Sequence, residues 1–197
     1  MTPIGKKKSK SKAPKTPEDL ADESRQFIED MQGQKDPGVA LMGAAFLDAI
    51  LEQILRACFR NDAKHVDALL EKRGPLGTLW SRSKIAYCLR LLPKNILDDL
   101  DKIRDIRNIF AHNYVTQSFD SEDIAGLCAK LRFPNQLIDI WRKFGRENCL
   151  NNRGRYILSV AHVSNDLILC WLSLRDSASA KERKPEEVRQ KEVHKPD

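Results

Sequence analysis

Two long stretches, 37–60 and 153–175, carry apolar residues at helical spacing from end to end, and this constrains the fold more than any other feature. In the first, Met42, Ala45, Phe46, Ala49, Ile50, Ile54, Cys58 and Phe59 mark one broad buried face. The second is apolar nearly all round, with Ile157, Val160, Val163, Leu167, Leu169, Trp171 and Leu174. Such a helix belongs at the centre of a bundle or in an oligomer interface. No convincing strand period appears between them, so the apolar surface has to be buried helix against helix.

Punctuation divides the rest into shorter helices. Thr16-Pro17-Glu18-Asp19 is a start signal, with a Thr cap, Pro in the first turn and acids at the positive helix end. That helix is predicted to run to about Gln32, where Gly33 ends it. Asn61-Asp62 opens a short helix with His65, Val66, Leu69 and Leu70. The Gly74–Gly77 loop then leads into a helix over about 78–91. Pro93 opens a helix ending near Asn113, Ser121-Glu122-Asp123 caps one to about Leu131, and Pro134 starts one bearing Leu137, Ile138, Ile140, Trp141 and Phe144. The expected fold is all-α, a single-domain bundle of seven or eight helices over 16–176. A disordered lysine-rich tail at 1–15 precedes it and a charged tail at 177–197 follows.

Charge sharpens this division. The net charge is +6, and Lys6, Lys7, Lys8, Lys10, Lys12 and Lys15 supply that amount with no acid among residues 1–16. The bundle itself is near neutral, which argues against a broad basic face for nucleic acid. The tail offers only loose, sequence-independent contact with nucleic acid through counterion release, or with an acidic protein, or simply solubility. Cys58, Cys88, Cys128, Cys149 and Cys170 contain no CxxC pair, so no zinc site is expected. Four of them sit in apolar helical contexts, as small core residues would in a reducing cytoplasm. The N-terminus lacks the apolar region of a secretory signal. No unbroken apolar run reaches the ~18 residues of a membrane span, so no membrane association is expected.

The segment with most chemical content is Arg107-Asn108-Ile109-Phe110-Ala111-His112. It combines a permanent cation, a polar amide and a proton carrier, as metal-free handling of a phosphodiester requires. On a straight helix Arg107 and His112 lie about 140° apart, with Arg104 and Asn108 on the His112 side and Arg107 nearer Leu100 and Ile103. The long Arg side chain, fraying after Ala111, or a two-fold dimer would bring the pair together. The alternative is structural: Arg107 pairs with a carboxylate while His112 complements the helix C-terminus. Gly74–Gly77 lacks the lysine–hydroxyl ending of a nucleotide loop and reads as a tight helix connection. Arg82, Lys84 and Arg104 are candidate binding residues, with a salt-bridged face as the alternative for Arg82 and Lys84. His65 and His162 are isolated, and Trp80, Trp141 and Trp171 are expected to be core anchors.

From Phe59 to Tyr114 the chain resembles the mannitol operon repressor family (MltR-like). The carrying residues are Phe59-Arg60-Asn61-Asp62, Gly74-Pro75-Leu76-Gly77-Thr78-Leu79, then Arg82, Lys84 and Tyr87, and the Arg107–His112 helix. The helical layout extends the likeness over roughly 20–175. It implies a cytoplasmic transcriptional regulator without cofactor, yet no helix-turn-helix is recognisable, which favours action through a protein partner. A more distant similarity is to HEPN domains, helical bundles with an Arg-x4-His motif. That similarity implies a homodimeric, metal-independent endoribonuclease, with His112 moving the proton, Arg107 stabilising the phosphate and Asn108 supporting them.

Overall fold

The computed structural model describes residues 17–112, 117–143 and 150–192, with side chains between 22 and 177 apart from Trp141. Every regular element among them is a helix: α1 (Pro17–Gln32), α2 (Asp36–Cys58), α3 (Ala63–Leu70), α4 (Leu79–Cys88), α5 (Lys94–His112), α6 (Glu122–Ala129), α7 (Arg132–Arg142) and α8 (Asn152–Glu192). The chain is the all-α bundle that its periodicity predicts. Met1–Lys15 and the Thr16 cap lie outside the described residues.

The two apolar stretches become α2 and α8, and they form the central pair. Gly43 sets how closely they approach, since a Cβ there would lie 3.0 Å from Val160 Cγ2 and 3.1 Å from the Tyr156 hydroxyl. Tyr156 is fully buried and donates its hydroxyl to the Ala40 carbonyl at 2.8 Å. Burial pushes its phenol well above the usual tyrosine range. Leu47, Leu51 and Ile54 of α2 meet Val160, Val163 and Leu167 of α8, and α5 closes the core with Leu100, Ile103, Ile106 and Phe110. Each such side chain contributes about 1.5–3 kcal/mol through burial. By length and composition alone, α2 and the Asn152–Ser177 part of α8 would suffice to cross a membrane. Core packing accounts for much of that apolarity, although α8 leaves Leu169 65% exposed.

Several helix ends differ from the sequence reading, each for a local reason. Thr78 and Ser81 form a reciprocal capping box that starts α4. That helix stops at Cys88 because Arg90 turns the chain through a left-handed conformation, φ 60°. Ser121 does not cap α6 with its side chain, for its Oγ accepts instead from the Ser118 amide at 3.0 Å. Helix α7 begins before Pro134 because Asp99, buried on α5, accepts the Arg132 amide at 3.2 Å with both oxygens. Pro134 then falls in the first turn, where its missing N–H costs nothing. Helix α8 runs past Arg175 to Glu192.

Two expectations about individual side chains are corrected. Cys128 is buried, its thiol pushed up to about 12, but Cys58 and Cys88 end their helices exposed and are not core residues. Cys149 lies outside the described residues. Trp171 packs against the core as expected, whereas Trp80 is 51% exposed and anchors nothing there. The Trp141 side chain is outside the description.

Candidate functional site

The connection between α3 and α4 is built around two glycines and one arginine. A Cβ at Gly74 would lie 2.4 Å from the Leu69 carbonyl oxygen, and one at Gly77 would lie 2.5 Å from that of Glu71. Only glycine lets the chain pass its own backbone so closely. The loop amides are already used: Gly74 donates to Glu71 O at 2.8 Å, Leu76 to Leu69 O at 2.9 Å and Gly77 to Gly74 O at 3.0 Å. The loop is therefore a tight connection and presents none of these N–H groups to an anion.

Arg82 clamps that loop onto α2. Its Nε donates to Leu76 O at 2.8 Å and Nη2 to Leu70 O at 2.7 Å. Nη1 meets Asp48 Oδ2 and Nη2 meets Glu52 Oε2, each at 2.8 Å. The chain of charge continues through Arg56, which bridges Glu52 at 3.0 Å and Asp67 at 2.6 Å. Asp48 is only half satisfied, because its Oδ1 is buried without a hydrogen-bond partner among the described residues. Burial raises its pKa above the usual aspartate value, against the opposing pull of Arg82.

These charges floor a groove of about 1050 Å³ between α2, the α3–α4 loop, the start of α4 and the C-terminal half of α5. One face of α2 supplies Leu41, Ala44, Ala45, Asp48 and Glu52 at helical spacing, and Trp80 and Lys72 stand at the margins. The α5 wall is Arg104, Arg107 and Asn108. Arg104 leans on Asp105 at 2.7 Å and Asp101 at 3.5 Å. Arg107 is exposed and donates to Asn108 Oδ1 at 3.0 Å, with no carboxylate in ion-pair reach among the described residues.

The sequence-predicted residues thus divide. Arg82, Arg104, Arg107 and Asn108 line one groove, but Lys84 and His112 do not. Lys84 is held by Asp101 at 2.6 Å, and Arg82 is buried, so the two form no exposed basic patch. His112 is exposed at the last position of α5. The groove therefore takes in Arg107 without His112. Arg107 lies on the side of α5 that carries buried Leu100 and Ile103, yet its own side chain is exposed. Lys84 of α4 meets Asp101 of α5, and the start of α4 lines the groove together with Arg107. Asp48, Lys72 and Trp80 were not singled out as site residues; the spacing of Asp48 and Glu52 on α2 is the one signal that could have marked that wall.

Comparison with known proteins places this architecture. A family model described as mannitol repressor matches residues 23–152, most of the chain. The chain belongs to the mannitol repressor family. The match runs from α1 to the start of α8 and takes in the entire groove, leaving the lysine tail and most of α8 outside. A chain of the MtlR–HPr complex from Escherichia coli superposes with a TM-score of 0.57 at 19% identity, covering 73% of this chain and 97% of that one. YggD from Shigella flexneri 2a, described as a possible transcriptional regulator, gives a TM-score of 0.54 at 14% identity, covering 77% of this chain and 98% of that one. At such identities the likeness is one of fold. No curated protein matches the chain significantly. The family is that of a repressor, and the chain is a regulatory protein of this type.

Proposed function

We propose that the chain regulates transcription as a binding module that contacts a protein partner, not as a reader of DNA through its folded core. Membership of the mannitol repressor family over residues 23–152 carries this reading. The placement of charge supports it, because the lysine tail accounts for the net charge of +6 and the bundle offers a mixed-sign groove. A duplex-reading surface would need a run of cations with few acids. The related MtlR has been seen in complex with HPr, and a partner of that kind is the natural candidate here.

The protein acts in the cytoplasm as a homodimer, with exposed Leu169 on α8 as part of the dimer surface. The lysines at 6, 7, 8, 10, 12 and 15 add loose, salt-sensitive contact with nucleic acid.

Calorimetric titration of the full chain with HPr is expected to give saturable binding, while anisotropy with promoter DNA gives only binding that disappears at moderate salt. Salt-resistant, sequence-specific DNA binding by the chain alone would overturn the reading. So would RNA cleavage in EDTA that is lost in His112→Ala, which would install the ribonuclease instead.

A further inference from the structure

We propose that the groove between α2, α4 and α5 receives an acidic segment of a protein partner, a site that presupposes the partner-binding reading above. Arg107 takes a carboxylate of that segment, and Trp80 covers an adjacent apolar side chain.

The charges in the groove are nearly matched, and most are already engaged. Asp48 and Glu52 are held by Arg82, and Arg104 has Asp101 and Asp105. Arg107 is left with only a neutral amide, although it stands exposed on the groove wall. A guanidinium presents a planar fork, and its strongest complement is a carboxylate taken through two parallel N–H groups. Trp80, half exposed at the start of α4, adds apolar area, and Leu41, Ala44 and Ala45 of α2 line the same groove. Tryptophan and arginine flanking a partly apolar groove are the side chains that most often dominate binding at protein interfaces.

The balance of sign selects a protein over a nucleic acid. The carboxylates of Glu71, Asp48 and Glu52 line the same groove. A phosphate backbone would bring several charges past those oxygens, whereas one or two carboxylates spaced by apolar residues meet Arg107 and avoid them.

The probe is a short fluorescein-labelled peptide in which glutamates alternate with leucine and phenylalanine, titrated into the full-length protein and followed by anisotropy. Binding is expected to weaken about tenfold in Arg107→Gln, to recover partly in Arg107→Lys, and to weaken several-fold in Trp80→Ala. Arg142→Gln, which removes an exposed guanidinium paired with Asp139 outside the groove, is expected to bind as the wild type does. Equal binding by wild type and Arg107→Gln would overturn the site. So would equal binding of a lysine-for-glutamate peptide, or Arg107-dependent capture of single-stranded RNA in place of the peptide. HPr binding without Arg107-dependent peptide binding would remove the site and leave the regulatory reading intact. Arg107-dependent peptide binding without HPr binding would keep the site and count against that choice of partner.

Discussion

Arg82 and Arg107 line the same groove, carry the same group and belong to opposite parts of the protein's economy. Arg82 is buried, and its guanidinium holds two carboxylates and two carbonyls at 2.7–2.8 Å. Arg107 is exposed and holds one amide oxygen at 3.0 Å. The floor of the groove is thus a piece of architecture that happens to be charged, while its α5 wall keeps a charge that the fold does not use. A buried cation must be matched from within, because nothing else can compensate its lost hydration; an exposed one remains free to meet something from outside.

The largest effect is expected from breaking the floor. Arg82→Ala would strand Asp48 beside a cavity, leave Glu52 to Arg56 alone and release the two carbonyls that hold the α3–α4 loop. Removing one partner of a buried ion pair costs about 3–5 kcal/mol. Urea denaturation at neutral pH is expected to show a loss of that size, with Arg82→Lys falling in between because a single ammonium cannot reproduce the fork. A loss below about 1 kcal/mol would mean that Arg82 is as dispensable as a surface residue.

The same contrast explains what was legible in the sequence. Helix periodicity exposed the α2–α8 core and the all-α architecture, because burial of apolar faces leaves a direct mark on residue order. The Gly74–Gly77 connection was also readable, since close backbone approach demands glycine. What escaped depends on contacts distant in sequence. Trp80 has the composition of a core anchor, yet it sits where α4 begins and half of it stays exposed. Helix α7 starts at Arg132 because a carboxylate on α5 reaches its amide, and no local signal announces that. Arg107 and His112 form a recognisable motif along the chain, but only the neighbouring helices decide that Arg107 faces a groove and His112 does not.

A smaller effect separates the two oxygens of Asp48. Burial raises its pKa from the ordinary value of 3.8, so the folded chain binds that proton more tightly than the unfolded chain does. Its contribution to stability is then greatest below 3.8 and is lost as pH rises through the raised value. Asp48→Asn keeps the shape and abolishes this titration. The stability difference between variant and wild type is expected to move in the variant's favour from acid to neutral pH. Paired urea curves at pH near 4 and near 7 measure it. Movement in the opposite direction would show that the bond to Arg82 outweighs burial.

The smallest effect is the one that defines the α5 wall. Arg107→Gln removes an exposed charge with no carboxylate partner among the described residues, so its stability is expected to stay within about 0.5 kcal/mol of wild type. Two long-range terms act in opposite senses. Arg107 lies close enough to Asp48 to favour its ionised form, so the substitution removes a little attraction across the groove. It also relieves repulsion with Arg104 and Arg82, which line the same space. Solvent screening at the exposed wall keeps both terms small. Thermal denaturation over a range of salt concentrations tests this: a near-constant, near-zero difference fits a charge that the fold does not use. A loss approaching that of Arg82→Ala would make Arg107 part of the floor, and the distinction between the two arginines would disappear.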